Sequence, residues 1–212
     1  MKKSILFAAL LCLPLCLMAE KKTKDDSKYL LGAVPEVEGV VTFQKNFSVT
    51  DKSEQQIYDI LLAYITDSIA GKAIQGQGTR IISKESGSIV ARIDEYMTFH
   101  KVFLNLDRTR FRYLLNANVK GQKVSLTITQ ISYYYNEDQE GLNGIYYKAE
   151  EWISDKAAVN KKGTKLYPRS GKFRRFTVDR VHNIFEGFMD AASTMEVEQQ
   201  VVTKKRKGIV ED

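Results

Sequence analysis

The stretch Thr109–Tyr135, TRFRYLLNANVKGQKVSLTITQISYYY, decides the fold of this chain. In its first half apolar and polar residues alternate, so Phe111 and Leu115 share one face while Arg110 and Arg112 share the other. A glycine-bearing turn follows, and the second half repeats the alternation. The stretch therefore predicts two long antiparallel strands with one buried face. Their other face is either wet or covered by helices.

The sequence on the N-terminal side of this hairpin adds further strands and a helix. Residues 80–84 and 89–99 flank a Ser-Gly-Ser turn and predict a second hairpin, and residues 40–47 alternate as an earlier strand. Ser53 opens a capping-box signal before a helix whose apolar residues repeat at three-to-four spacing until Gly71.

The C-terminal part combines an insert with a long helix. Residues 136–144 are typical of a loop, and residues 146–159 predict a short helix that carries Trp152. A basic irregular stretch, 160–175, then leads to a final helix over 177–201. The order is strand, helix, four strands, insert, helix. It predicts an α+β fold in which helices gather on one face of an antiparallel sheet.

The beginning of the chain predicts export. Met1–Lys3 is positive, Ile5–Met18 is an apolar run of 14 residues, too short to span a bilayer, and Ala19 is a small residue at a cleavage position. Lipidation at Cys12 or Cys16 is less favoured, because leucine precedes each. The predicted organisation is a signal peptide (1–19), a charged tether and extended lead-in (20–39), one α+β domain (40–201) with an insert at about 136–176, and a charged tail (202–212).

Export narrows the possible functions. The protein is expected in the periplasm or cell envelope, where ATP, NAD and DNA are normally absent. Because both cysteines precede the expected cleavage site, the mature chain has no disulfide and no thiol chemistry. A hydrophobic content of 43% predicts a folded globular protein, and a net charge of +6 is only weak support for a polyanionic partner.

Two long segments resemble a known family. They are YLLGAVPEVEGVVTFQKNF at Tyr29–Phe47 and AEEWISDKAAVNKKGTKLYPRSGKFRRFTVDRVHNIF at Ala149–Phe185. They are similar to secreted bacterial proteins of unknown function with a TATA-binding-protein-like (TBP-like) fold. The resemblance implies that fold and export in a Gram-negative bacterium. It implies no catalytic residue, and it does not imply DNA binding, because fold and function are separable.

A basic and aromatic patch in the insert is the first candidate site. Such a patch could bind an anionic envelope glycan or an acidic envelope protein, with tyrosine and tryptophan rings stacking on sugars. The alternative is a solvated surface in which the arginines form internal ion pairs and the aromatic rings are buried. The candidate residues are Lys161, Lys162, Lys165, Arg169, Lys172, Arg174, Arg175, Tyr146, Tyr147 and Trp152.

Catalytic and metal chemistry find little support. Glu150, Glu151 and Asp155 could suggest a glycosidase pair, but their spacing on a helix does not make them converge, and a partner would have to come from Asp94 or Glu95. The two histidines, His100 and His182, stand in no metal-binding or nucleophile motif, so we predict no cofactor and no metal. The glycines at 76 and 78 lack the context of a nucleotide loop.

Three classes of function therefore remain open. The favoured one is a non-catalytic binding or assembly module of the cell envelope with no nucleic-acid partner. The second is a carrier of a lipid or other apolar ligand in a cavity between the sheet and the final helix. The least favoured is an envelope hydrolase. The cavity would be lined by Phe111, Tyr113, Leu126, Phe185 and Phe188.

Overall fold

A computed structural model of the chain describes residues 25–74, 80–85, 87–102, 105–137 and 143–207. The predicted signal peptide, the start of the tether, the glycines at 76 and 78 and the last five residues lie outside the described residues. Export and the division into tether, domain and tail stay predictions.

The described residues form eight strands and four α-helices. The strands are β1 (Glu36–Val37), β2 (Val40–Val41), β3 (Phe43–Ser48), β4 (Arg80–Glu85), β5 (Ser88–Val102), β6 (Asn105–Lys120), β7 (Lys123–Tyr135) and β8 (Ile145–Lys148). The helices are α1 (Glu54–Ala63), α2 (Ala149–Trp152), α3 (Asp155–Ala158) and α4 (Pro168–Lys207). The α+β class predicted from the sequence is confirmed.

Six of these strands make one antiparallel sheet. Its order among the described residues is β3-β7-β6-β5-β4, and β8 also pairs with β7. Strand β3 pairs with residues 123–128 and β8 with residues 132–135, so the two lie end to end along the same edge of β7. The predicted hairpin Thr109–Tyr135 is therefore the centre of the sheet.

The first helix begins as its capping box predicts. The Ser53 hydroxyl accepts from the Gln56 backbone N–H, and the Gln56 side chain accepts from the Ser53 backbone N–H. The helix continues as a π-helical segment, Tyr64–Ile69, and ends in a 3₁₀ turn at residues 70–72. Its apolar side packs onto the sheet, with Ile57, Leu61 and others buried.

The final helix begins at Pro168, nine residues before the predicted start at Thr177. Proline suits the first helical position because its φ is already helical and its missing N–H would have no partner there. The basic stretch predicted to be irregular is thus partly helical. Apolar residues at three-to-four spacing in this helix are buried: Val178, Val181, Phe185, Phe188 and Ala192.

The secondary structure of the insert also differs from the prediction. Residues 146–159 do not form one helix but the edge strand β8 followed by the single-turn helices α2 and α3. Tyr146 and Tyr147 favour extended backbone and pair with Tyr134 and Tyr133 of β7. Ser154 then caps α3 by accepting from the Ala157 N–H.

Two buried tyrosines in this core predict a stability change in alkali. Burial raises the pKa of Tyr113 well above its ordinary value, and the charge of Glu95 adds to the effect; burial also raises the pKa of Tyr133. In the unfolded chain a tyrosine ionises near pH ~10. Each buried tyrosine therefore contributes its full stabilisation below that pH. This contribution is lost as the pH rises toward the pKa of the tyrosine in the folded protein.

We expect the free energy of unfolding to fall by up to about 1.4 kcal/mol per pH unit for each of these tyrosines above pH ~10. Urea unfolding at a series of alkaline pH values measures the slope. Tyr133→Phe should flatten it, since phenylalanine does not ionise. An unchanged slope in that variant would contradict a buried, neutral Tyr133.

Candidate functional site

The sheet face opposite the helices carries a row of polar side chains across four strands. The row runs Asp94, Arg112, Ser132, Lys148, because each is the register partner of the next in β5, β6, β7 and β8. Antiparallel register partners point to the same face, so these side chains are neighbours. We call this the outer face of the sheet.

An ion-pair cluster is buried at the centre of the outer face. The Asp94 side chain is 2% exposed and binds Arg110 through Nε (3.2 Å) and Nη2, and Arg112 through Nε (2.8 Å). Arg110 also contacts Glu137 at 3.4 Å. The bond to Asp94 raises the pKa of Arg110. The negative charge of Asp94 is thereby balanced by two arginines. The Arg112 side chain nevertheless remains 41% exposed.

Further cations surround this cluster without partners of their own. Arg92 and Lys148 are exposed, and in the described part of the chain neither has an ion-pair partner. Arg80 on β4 is exposed and lies directly opposite Arg92, and like charges in such a pair repel. The outer face therefore carries several exposed positive charges close to one another.

A groove of about 600 Å³ that is open to solvent lies on part of this face. Its polar lining includes Arg92, Asp94, Arg112, Gln130, Ser132, Lys148 and Glu150, and its apolar lining includes Val40, Leu114 and Tyr146. One carboxylate oxygen of Glu150 accepts from the Val41 backbone N–H at 2.8 Å. Tyr146 is 55% exposed at the edge strand β8.

A β-bulge places Gln130 in the groove. Thr129 pairs with Leu114 and Ser132 with Arg112, so Gln130 and Ile131 together lie opposite Tyr113. Gln130 has a φ of 52°, which is uncommon for a residue other than glycine. Bulges of this kind redirect a side chain and are frequent beside functional sites. The bulge supports a functional role for this part of the outer face.

The comparisons with known proteins agree with this fold. The sequence model of a family described as "domain of unknown function (DUF4468) with TBP-like fold" matches residues 43–134. A solved structure of a DUF4468 family protein from Bacteroides ovatus is 35% identical, covers 80% of this chain and 96% of that chain, and has a TM-score of 0.73. The chain belongs to the DUF4468 family. The resemblance to a family with a TBP-like fold is confirmed.

A second, more distant solved structure is also similar to this chain. A TBP-like protein from Parabacteroides distasonis is 18% identical, covers 76% of this chain and 97% of that chain, and has a TM-score of 0.62. At this identity the similarity shows that the two proteins share a fold, and nothing more. No curated protein matches the chain. No helix among the described residues is long and apolar enough to cross a membrane.

The structure of this chain separates the predicted basic patch into internal and surface residues. Arg174 is wholly buried and binds the carbonyls of Tyr29, Leu30 and Ile153 and the carboxylate of Asp155. This corrects its place in the patch, because every side of its guanidinium is already bonded. It serves as an internal anchor between α4, α3 and the lead-in.

Two more members of the predicted patch have internal partners. Arg175 makes a bidentate pair with Asp26, both distances being 2.6 Å. Lys172 binds Asp107 at 2.7 Å and the Tyr135 hydroxyl at 2.9 Å. The exposed members are the remaining cations, Lys161, Lys162, Lys165 and Arg169.

The three aromatic residues of the predicted patch also fall into internal and exposed side chains. Tyr147 and Trp152 stack on each other with ring centroids 4.0 Å apart, and both are half-buried. The Trp152 Nε1 atom is buried and has no hydrogen-bond partner among the described residues. Tyr146 alone of the three points into the groove of the outer face. Tyr146 therefore belongs both to the predicted patch and to the groove of the outer face, which was not predicted from the sequence.

Of the carboxylates considered for hydrolysis, Asp94 and Glu150 line the same groove, whereas Glu95 and Asp155 lie elsewhere. Glu95 lies on the helix side of the sheet, where Arg180 binds it at 2.8 and 2.9 Å and the Tyr113 hydroxyl donates to it. Asp155 pairs with Arg174, and Asp94 with the arginines of the outer face. Within the described residues, no cluster of three or more acidic, histidine or cysteine side chains could hold a metal.

The proposed lipid cavity is filled by side chains. Phe111, Tyr113, Leu126 and Phe188 are at most 2% exposed, and the Phe111 ring lies 4.9 Å from the Tyr113 ring between centroids. Phe185 is also buried, at the edge of a shallow groove of about 420 Å³ between α4 and β3 that opens to solvent. This close packing disfavours a carrier that encloses its ligand.

Proposed function

We propose that this protein is a non-catalytic binding module of the cell envelope whose outer face holds an anionic ligand. One observation carries the proposal: Arg92, Arg112 and Lys148 line a single groove, while the buried carboxylate there, Asp94, is already neutralised by Arg110 and Arg112. Guanidinium groups with free N–H donors bind carboxylate, sulfate or phosphate oxygens through two parallel hydrogen bonds.

A rigid frame supports this role. Most of the groove residues lie on the adjacent strands β5, β6, β7 and β8, and the Asp94 carboxylate holds Arg110 and Arg112 in place. Side chains held in this way lose little conformational freedom when a ligand binds. Export, which stays a prediction from residues 1–19, would bring the groove to anionic glycans and acidic proteins of the envelope.

Charge reversal in the groove tests the proposal. We expect the double variant Arg92→Glu/Lys148→Glu to bind dextran sulfate and poly-L-glutamate at least roughly tenfold more weakly, because two attractions become repulsions. Isothermal titration calorimetry measures the affinities, and both residues are exposed, so folding is preserved.

The matched control is Lys161→Glu/Lys162→Glu in the insert. It changes the net charge by the same amount on another exposed surface. The proposal predicts a much smaller loss in this variant. Equal losses in the two variants would mean that only net charge matters, and a loss confined to the control would transfer the site to the insert. Either result contradicts the proposal.

A further inference from the structure

The groove offers hydrogen-bond acceptors as well as cations. Oε1 of Glu150 is occupied by the Val41 N–H, whereas Oε2 has no partner among the described residues. Gln130 presents an amide, which both donates and accepts, and Ser132 adds a hydroxyl. A ligand that satisfies this lining must carry hydrogen-bond donors together with its negative charge.

This combination separates the classes of anion. A free sulfate ion offers only acceptors, so it cannot donate a hydrogen bond to Glu150. A peptide carboxylate satisfies the guanidinium groups, and its backbone N–H groups can donate, but it brings no sugar ring to pack on Tyr146. A neutral sugar satisfies Glu150 and Gln130 but leaves Arg92 and Arg112 without a counter-charge. An acidic sugar supplies both kinds of group in one residue.

Tyr146 adds a flat apolar surface at the rim of the groove. Its side chain is 55% exposed, and Val40, which is 41% exposed, lines the same groove. An exposed aromatic ring at the rim of a polar groove gives a ligand an apolar surface to pack against. The C–H face of a pyranose ring is a suitable partner for such a surface.

We propose that the ligand is a carboxylated sugar of the uronic-acid class, an inference that rests on the binding function proposed above. Arg92 and Arg112 bind the sugar carboxylate. Glu150 and Gln130 receive its hydroxyl groups, and Tyr146 packs against its ring. A polysaccharide of such units would extend along the open groove.

Polymers of matched charge test this inference with the full mature chain. Polygalacturonate carries carboxylates on sugar rings, poly-L-glutamate carries carboxylates without rings, and dextran is an uncharged sugar. We expect polygalacturonate to bind about tenfold more tightly than poly-L-glutamate, and dextran not to bind. Tyr146→Ala should weaken polygalacturonate binding roughly fivefold and leave poly-L-glutamate binding unchanged.

Tyr167→Ala is the matched control, since Tyr167 is 42% exposed and lies outside the groove. It should change neither affinity. Equal affinities for the two charged polymers, or a Tyr146→Ala variant with full polygalacturonate affinity, would overturn the uronic-acid inference. The anionic site would stand in that case, provided Arg92→Glu/Lys148→Glu still weakened binding at least roughly tenfold. Failure of both charged polymers to bind would overturn both proposals.

Discussion

Arg174→Met is expected to destabilise the protein by about 2–6 kcal/mol, because two buried carbonyls lose their donor at about 1–3 kcal/mol each. The guanidinium donates to the Tyr29, Leu30 and Ile153 carbonyls at 2.5–2.6 Å, and it pairs with Asp155. Methionine fills a similar volume but donates no hydrogen bond. Two buried carbonyls, one part-buried carbonyl and the half-buried carboxylate of Asp155 would lose their donor at once.

The neighbouring arginine is the control for this experiment. Arg175 pairs with Asp26 in a part-exposed position, 25% exposed, so Arg175→Met should cost only about 0.5–1 kcal/mol. Urea denaturation of the two variants measures the difference. Similar costs would contradict the internal role of Arg174 and return it to the surface patch that the sequence predicted.

Gly187→Ala is expected to destabilise the protein by roughly 1–3 kcal/mol through overpacking. A Cβ atom at this position would lie 1.8 Å from the Tyr64 hydroxyl oxygen and 2.6 Å from the ring carbon that bears it. Tyr64 has little room to move, because its ring packs on Phe188 at 4.6 Å between centroids. Thermal unfolding of the variant measures the loss.

Gly71→Ala is the matched control. The nearest atom to its added Cβ would be the Thr66 carbonyl oxygen at 3.5 Å, an ordinary contact. Alanine has the higher helix propensity, so this change should be neutral or stabilise by up to ~1 kcal/mol. The two glycine variants thus have opposite expected signs. A stabilising Gly187→Ala would contradict the close approach of α4 to Tyr64.

The sheet could be predicted because alternation reports directly on which face a residue occupies. The two long strands, the capping box at Ser53 and the apolar side of α4 all follow from local sequence. The groove could not be predicted in this way. Arg92, Arg112 and Lys148 are distant in sequence and meet only because of the register of four strands.

The sequence did contain signals for the bulge at Gln130 and for the burial of Arg174. Apolar residues alternate up to Ile128 and resume at Ile131, a spacing of three that indicates the bulge at Gln130. Arg174 precedes Val178 by four residues and therefore falls on the buried side of α4. That relation is visible only once the helix is known to begin at Pro168. A basic sequence context had indicated a surface instead.

The most direct test of the central claim is a chemical-shift map of the labelled protein titrated with polygalacturonate. If the outer face binds the ligand, the largest shifts should fall on the backbone amides of Arg92, Arg112, Gln130 and Tyr146. The amides of residues 161–169 in the insert should then stay nearly unchanged. Shifts confined to residues 161–169, with the outer face unaffected, would contradict the account.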